Sequence, residues 1–428
     1  MTPTEGKRHL SVLDHICLNV FWFAFSVLWG SLLVVTIPSQ VLSMVGDARK
    51  GTGMAWIMGL GAFIALVFPP FVGAISDRAR FRMGRRRPFI LVGTVINCLA
   101  LLGMAYFDSF SLYVLAFLFV EFGNNLAMAA YAALIPDIVP HDQRGLASGY
   151  MNLMVMLGTI AGVAAAGVLT ARAVVLLYWL LIAVLLVAML MTVFTVEEEP
   201  ITEVKPLDPG PLLRGLWINP RDQPDFAWLS LSRLLVMMGR YIVQEFLQYY
   251  LKDVIGPPFR FFGMAVTSNA EGAVSLVVLM IMVGATVSSI VAGALSDRLG
   301  RKRLIYLSGG LMVVPGALLI MSNNFTLATL LSIAFGLGFG AFASADWALA
   351  TDVLPSADDY AKDMGIWHIA TVLPQVVAVP VAGPILDVFN RLGPAWGHPS
   401  LGYTVIFSMS MAYVMVGTAL VSRIKGAK

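Results

Sequence analysis

The chain has 428 residues, of which 58% are hydrophobic and 12% are charged, about half the charged fraction of an average soluble protein. This composition excludes a soluble globular protein, and the net charge of +3 is too small to indicate a nucleic-acid partner. Apolar windows of about 20 residues, long enough to cross a bilayer as helices, recur along the chain. We therefore predict a multi-pass helical membrane protein.

Twelve membrane spans are predicted, six on each side of a hydrophilic segment. Their expected bounds are 15–38, 53–75, 89–107, 111–135, 146–169, 173–196, 226–250, 273–295, 304–322, 325–351, 362–386 and 401–423. We number them spans 1 to 12. The pattern predicts an N-terminal six-helix bundle at 1–196, a linker at 197–225 and a C-terminal six-helix bundle at 226–428.

The basic residues predict the orientation of these spans. Alternating the spans places 20 of the 28 Lys and Arg residues on the side of the N-terminus, six on the other side and two inside spans. Because basic residues concentrate on the cytoplasmic side, both termini are expected in the cytoplasm. The polar start, Met1 to Asp14, leads into span 1 without a small-residue cleavage site, so a cleaved signal peptide is not expected.

Two basic loops belong to an internal repeat. Gly73–Arg78 is echoed by Gly293–Arg298 at an offset of 220, and Ala133–Pro140 by Ala348–Pro355 at an offset of 215. A lipid-binding or nucleic-acid-binding patch is the alternative explanation for such loops. Offsets of half the chain instead favour two parallel six-helix repeats, an architecture found in transporters that work by alternating access.

These loops carry a family resemblance. Gly293–Arg303 resembles the loop signature of the major facilitator superfamily, in which acidic and basic residues sit at cytoplasmic helix ends. Arg82–Ile90 and the segment Glu121–Asn125 resemble the plant sucrose transporters and their animal and bacterial relatives. The resemblance implies the two-bundle major facilitator fold and proton-coupled symport of a sugar or glycoside, such as sucrose or maltose.

Charged side chains inside the membrane are costly, so they are candidates for function. The sequence contains five of them: Glu121 in span 4, Arg233, Arg240 and Glu245 in span 7, and Asp346 in span 10. The resemblance implies that spans 1, 4, 7 and 10 line a central cavity. The five residues therefore predict a polar site there.

Glu121 is the candidate proton carrier. It lies about ten residues, or roughly 15 Å of helix, into span 4, and Asn124 and Asn125 follow it as candidate substrate ligands. The resemblance implies that the acidic residue of this segment is the protonation site, whereas a permanent ion pair with an arginine is the alternative. The relatives also carry an arginine later in span 4, where this chain has Ala132. Either span 7 supplies the cation or the implied mechanism fails.

Span 7 has one polar face. At 100° per residue, four polar residues lie within about 80° of one another: Arg233, Arg240, Gln244 and Gln248. We predict that Arg240, Arg233 and Gln244 bind substrate, with a structural hydrogen-bond network between helices as the alternative. Glu245 points away from this polar face, so it is a weaker candidate for substrate binding.

Spans 1 and 10 add further candidates. Asp346 and Trp347 would hold a sugar by hydrogen bonds and ring stacking, and Asn19 and Trp22 would line the cavity from span 1. For Asp346 a helix-helix hydrogen bond is an equally good explanation, and for the tryptophans ordinary packing is the alternative.

A conformational latch is predicted at the cytoplasmic face. It comprises Asp77, Arg78 and Arg85 in the first repeat and Asp297, Arg298 and Arg301 in the second. Charge pairs formed in only one conformation would bias the equilibrium between conformations.

The sequence has no signature of an enzyme. It lacks a phosphate-binding loop and its five histidines lack metal-ligand spacing, so we expect no cofactor, no metal and no use of ATP. The expected partners are a small-molecule substrate, protons and the lipid bilayer of a cell membrane, and a monomer suffices. Sodium-coupled uptake, proton-driven efflux or uptake of another metabolite, and a non-transporting receptor, assembly factor or lipid scramblase remain alternatives. The absence of acidic residues from Gly53 to Ile75 favours protons over sodium.

Overall fold

The computed structural model describes residues 9–76, 81, 83–196, 223–353 and 360–425. The helices of the spans are Val12–Ser31 continued by Ile37–Val45 (span 1), Lys50–Ser76 (span 2), Arg87–Tyr106 (span 3), Phe110–Tyr131 (span 4), Arg144–Thr195 (spans 5 and 6), Pro224–Tyr250 (span 7), Ala270–Leu299 (span 8), Arg301–Ile320 (span 9), Phe325–Val353 (span 10), Tyr360–Leu392 (span 11) and Leu401–Leu420 (span 12). Eleven stretches of these described residues are long and apolar enough to cross a membrane. The predicted all-α membrane fold is confirmed.

One continuous helical stretch accounts for two predicted spans. Arg144–Thr195 has 52 residues, which at about 1.5 Å per residue is more than twice the thickness of the hydrocarbon layer. Its backbone leaves the helical conformation at Ala173, where φ is −157° and ψ is 60°. Ala173 therefore marks the turn between spans 5 and 6.

Two spans contain a π-helical turn that periodicity does not predict. Span 1 is interrupted at Leu32–Thr36, and span 7 continues from Tyr250 into Leu251–Ile255. In span 1 the Thr36 hydroxyl donates to the Ser31 carbonyl at 2.9 Å. π-helical turns inside helices often mark functional regions, and these two lie in the first span of each predicted bundle.

A small β-hairpin joins spans 7 and 8. Phe259–Phe261 pairs antiparallel with Met264–Thr267, and Phe261 is opposite Met264. Phe262 and Gly263 form the turn with φ of 46° and 83°, positive values that suit the tight turns of two-residue hairpins. The sequence analysis does not anticipate this hairpin.

The chain forms two compact units. Unit 1 contains Met1–Thr36 and Phe63–Asp208, and unit 2 contains Ile37–Ala62 and Pro209–Lys428. Unit 2 thus includes the end of span 1 and the start of span 2. The division at the 197–225 linker stays a prediction, because 197–222 lie outside the described residues.

Small residues allow close helix packing within each unit. A Cβ on Gly158 of span 5 would collide with the Phe23 carbonyl of span 1, and a Cβ on Gly336 of span 10 would collide with the Ile281 carbonyl of span 8. Such contacts are typical of membrane helices, where small residues let backbones approach.

Candidate functional site

Glu121 is buried in unit 1 and bonded to an amide. Its side chain is 7% exposed, and the Asn125 Nδ2 donates to its carboxylate at 3.2 Å and to its backbone carbonyl at 2.8 Å. Asn124 is also buried. Within unit 1, the described residues place no Lys or Arg at ion-pair distance from this carboxylate. The carboxyl is therefore shielded from water without a permanent cation in its own unit.

Two aromatic side chains of span 4, one on each side of Glu121 in the chain, contact tryptophans of span 1. Trp29 packs on Phe117 with ring centroids 6.3 Å apart, and Trp22 packs on Tyr131 at 5.9 Å. Glu121 lies between these two contacts along span 4. The rings of Trp22 and Trp29 thus contact span 4 on either side of Glu121 in the chain, and a role for Trp22 and Glu121 in one site stays a prediction.

Span 1 presents buried polar atoms beside this interface. Asn19 is fully buried and its Nδ2 donates to the His15 carbonyl at 2.8 Å. Among the described residues, the Asn19 Oδ1, the Trp22 Nε1 and both ring nitrogens of His15 have no hydrogen-bond partner. The His15 ring stacks on Tyr150 at 5.4 Å. The sequence analysis missed His15, although it lies one turn before Asn19 on the same stripe.

In unit 2, Arg233 of span 7 is paired with Asp346 of span 10. The Arg233 Nη1 donates to Asp346 Oδ2, and its Nε donates to the Thr371 hydroxyl at 2.9 Å. Asp346 is 0% exposed, whereas the neighbouring Trp347 is 51% exposed and points away from it. The structure brings Arg233 and Asp346 together but leaves Trp347 out of this group, because adjacent helical residues point about 100° apart.

Arg240 lies against aromatic rings, whereas Gln244 is hydrogen-bonded to a carboxylate. The Arg240 guanidinium lies 4.5 Å from the Phe339 ring centroid and 5.4 Å from that of Tyr241, a cation-π arrangement. No carboxylate lies at ion-pair distance from Arg240 among the described residues of unit 2. The Gln244 Nε2 donates to the Glu245 carboxylate at 3.2 Å.

The predicted latch is only partly described. Asp77 and Arg78 lie outside the described residues, as do the side chains of Asp297 and Arg298. Arg301 donates to the Ala348 carbonyl of span 10. It therefore joins the start of span 9 to the end of span 10 within unit 2.

Arg85 forms an ion pair inside unit 1. Its Nη2 lies 2.5 Å from Asp137 Oδ2, and the buried Arg86 contacts the same oxygen at 3.2 Å and the Ser76 hydroxyl at 3.0 Å. This network joins the end of span 2 and the start of span 3 to the short helix Leu134–Ile138 that follows span 4. The sequence analysis missed Asp137, although it is the acidic residue of the repeated Ala133–Pro140 segment.

A second ionic group lies at the other ends of the spans in unit 2. We call Asp47, Lys50, Asp253 and Tyr403 the Lys50 cluster. Lys50 is 3% exposed and pairs with Asp253 and, at 3.2 Å, with Asp47, while the Tyr403 hydroxyl donates to Asp253 at 2.5 Å. The sequence analysis missed this cluster because Lys50 and Asp253 fall outside the predicted spans.

Asp387 of span 11 caps the start of span 2. Its carboxylate accepts from the backbone N–H groups of Gly51 and Thr52 at 2.9 and 2.7 Å and from the Thr52 hydroxyl at 2.7 Å. Carboxylates are favourable at helix N-termini. Asp387 and the Lys50 cluster line a cavity of about 630 Å³.

The chain matches the model of a known protein family. The model of the Major Facilitator Superfamily matches residues 15–270 and 229–425, which together span nearly the whole chain.

Known proteins with similar sequences include sugar transporters that share a low identity with this chain. The chain is 23% identical to Sucrose transport protein SUT5 of Oryza sativa subsp. indica, over 92% of this chain and 86% of that protein. It is 28% identical to Sucrose transport protein SUC4 of Arabidopsis thaliana over 38% of this chain and 35% of that protein. It is also 25% identical to the General alpha-glucoside permease of Schizosaccharomyces pombe over 37% and 31%.

Solved structures share the fold at low identity. The nucleoside transporter NupG has a TM-score of 0.72 with 15% identity, covering 96% of this chain and 98% of that one. A bacterial homolog of the human lysosomal transporter Spinster has a TM-score of 0.70 with 13% identity, covering 96% and 94%. At these identities the likeness is one of fold.

Proposed function

Because the chain belongs to the Major Facilitator Superfamily, we propose that it is a secondary active transporter that couples uptake of a sugar or glycoside to protons. Its similarity to sucrose transport proteins and an alpha-glucoside permease supports the substrate class. The observation that carries proton coupling is the buried Glu121 carboxyl, whose partner is the amide of Asn125. An amide forms a hydrogen bond with either the protonated or the ionised carboxyl, so this arrangement suits a site that gains and loses a proton.

Within each unit taken by itself, polar groups that have no strong partner are proposed to bind substrate. Arg240 is stacked on rings instead of being ion-paired, and the Asn19 Oδ1 and Trp22 Nε1 have no hydrogen-bond partner among the described residues. Sugar hydroxyls both donate and accept, so they would satisfy these groups. Arg233 and Asp346 are paired with each other and are assigned a structural role.

Contacts of residues 37–62 are proposed to form the extracellular gate. These residues belong in sequence to the N-terminal half, yet within unit 2 they pack against spans 7, 11 and 12. Rocking of one half against the other requires the Lys50 cluster and the Asp387 cap to break. In this proposal both termini are cytoplasmic and the cavity at Asp387 faces the outside of the cell.

Substrate-dependent proton uptake tests the proposal. Cells expressing the protein in a lightly buffered, sodium-free medium are given sucrose, maltose, an aryl glucoside or uridine in turn, and the external pH is recorded. We expect one of the sugars to alkalinise the medium, and a protonophore to abolish the signal. Uptake of labelled sugar that needs sodium, or that proceeds without alkalinisation, would overturn proton coupling, and a response to uridine alone would overturn the substrate class.

A further inference from the structure

Glu245 is a second buried carboxyl in a membrane span. It is 0% exposed and lies about ten residues, roughly 15 Å, before the end of the π-helical turn of span 7. The proposed site in unit 1 does not use it.

The hydrogen bonding of Glu245 resembles that of Glu121. One carboxylate oxygen accepts from the Gln244 amide at 3.2 Å, the distance at which Asn125 donates to Glu121. The other oxygen, Oε2, has no hydrogen-bond partner among the described residues. Asp346 also has one oxygen, Oδ1, without a hydrogen-bond partner among the described residues, but its Oδ2 is paired with the Arg233 guanidinium.

The charged and titratable groups around Glu245 leave it without a direct cation. Arg240, on the same helix, acts on it electrostatically, but its guanidinium lies against Phe339. Tyr241 and Tyr249 are the other ionisable groups of span 7 within electrostatic reach.

Acidic groups of neighbouring segments meet span 7 one turn further on. Asp387 of span 11, Asp253 of the loop after span 7 and Asp47 before span 2 all act on Tyr249. These carboxylates act on Tyr249, whereas the groups that act on Glu245 itself are Arg240 and Gln244. An ionised carboxylate with an unpaired oxygen is costly in a membrane interior, and a proton removes most of that cost.

We propose that Glu245 is a second proton-binding residue of this protein. The next turn of span 7 connects it to the proposed gate, because the Tyr249 hydroxyl donates to the Pro38 carbonyl at 2.8 Å and the Lys50 ammonium lies 5.3 Å from the Tyr249 ring centroid. Movement of residues 37–62 would break the Tyr249–Pro38 hydrogen bond, four residues after Glu245, and so alter the packing of span 7 beside this carboxyl. This link to the gate rests on the proposed function, whereas proton binding itself requires no substrate.

Infrared difference spectroscopy tests proton binding directly. The purified full-length protein in lipid nanodiscs is titrated from acidic to alkaline pH, and the C=O stretch of protonated carboxylic acids is followed with H/D exchange as the assignment check. We expect Glu245→Gln to remove one titrating band that remains in Glu121→Gln, and Glu121→Gln to remove another. A Glu245→Gln spectrum that keeps every band of the wild type would overturn the proposal.

Gln244→Leu provides an independent variant. It leaves the carboxyl in place and removes its hydrogen bond, so the band of a protonated Glu245 is expected to move to higher frequency without disappearing. If Glu245→Gln does not yield monodisperse protein, this shift decides the question, and an unshifted spectrum would contradict protonation. Sugar-dependent alkalinisation in the wild type with no Glu245 band would reject this inference and leave the proposed function standing.

Discussion

Glu121 in unit 1 and Asp346 in unit 2 are both buried carboxyls in membrane spans, but their partners differ. Asp346 is paired with the Arg233 guanidinium, whereas Glu121 is bonded to the neutral amide of Asn125. A permanent cation holds a carboxylate in its ionised form, and an amide does not. The comparison teaches that burial alone does not identify a proton carrier, because the partner decides whether the proton can exchange.

Breaking the Arg233–Asp346 pair should have the largest effect on stability. Asp346→Asn leaves the Arg233 charge buried without its carboxylate, which costs about 3–5 kcal/mol. We expect a clear fall in the thermal unfolding midpoint of the detergent-purified protein. The double variant Arg233→Gln with Asp346→Asn should recover part of the loss, and Glu121→Gln should cost less than about 1 kcal/mol. Equal loss for Asp346→Asn and Glu121→Gln would remove the distinction between the two carboxyls.

Arg233 and Arg240, the two arginines of span 7, also differ in whether they have an ion-pair partner. Arg240 lies on the Phe339 ring without an ion-pair partner among the described residues of unit 2, and we propose that it binds substrate. Arg240→Lys keeps the charge and loses the planar donor fork. We expect about ten- to a hundred-fold weaker binding of the transported sugar, equivalent to about 1.5–3 kcal/mol, measured by titration of monodisperse protein. A dissociation constant equal to that of the wild type would exclude Arg240 from the site.

Weakening the Asp387 cap should have a smaller effect, which is expected on the equilibrium between conformations. Asp387→Asn leaves a single acceptor oxygen for the groups of Gly51 and Thr52, a loss of about 1 kcal/mol. Spin labels at Ala48 and Asn323, which both line the cavity beside the cap, should then show a longer-distance population increased about five-fold. Thr52→Val removes only the hydroxyl bond and is expected to give a smaller increase. Unchanged distances in both variants would contradict a role in gating.

Features confined to one helix could be predicted from the sequence. Apolar length predicts the spans, including spans 5 and 6 within the merged helix, and spacing of four residues predicts that Asn125 lies one turn from Glu121, where it forms a hydrogen bond. The internal repeat and the span 4 segment likewise indicated the family.

Features that join two helices could not be predicted. The carboxylate that pairs with Arg233 depends on how spans 7 and 10 are rotated and how closely they pack. The sequence alone is compatible with a pair between Glu121 and an arginine of span 7, and equally with a structural network between span 7 and its neighbours. The Asp387 cap joins the end of span 11 to backbone N–H groups of span 2, and backbone donors leave no trace in side-chain patterns. The sequence analysis groups Trp347 with Asp346 because they are adjacent in the chain, although adjacent helical residues face different directions.

The most direct test of the central claim compares net accumulation with exchange in Glu121→Gln. Proteoliposomes are prepared with the wild type, with Glu121→Gln or with Asn125→Asp, which adds a carboxyl beside Glu121. The transported probe is the sugar that alkalinises the medium with the wild type. If Glu121 carries the coupled proton, Glu121→Gln will exchange labelled for unlabelled sugar at a rate comparable to that of the wild type, yet will not accumulate sugar against its gradient when a proton gradient is imposed. Accumulation by Glu121→Gln to the level of the wild type would contradict the assignment of the coupled proton to Glu121.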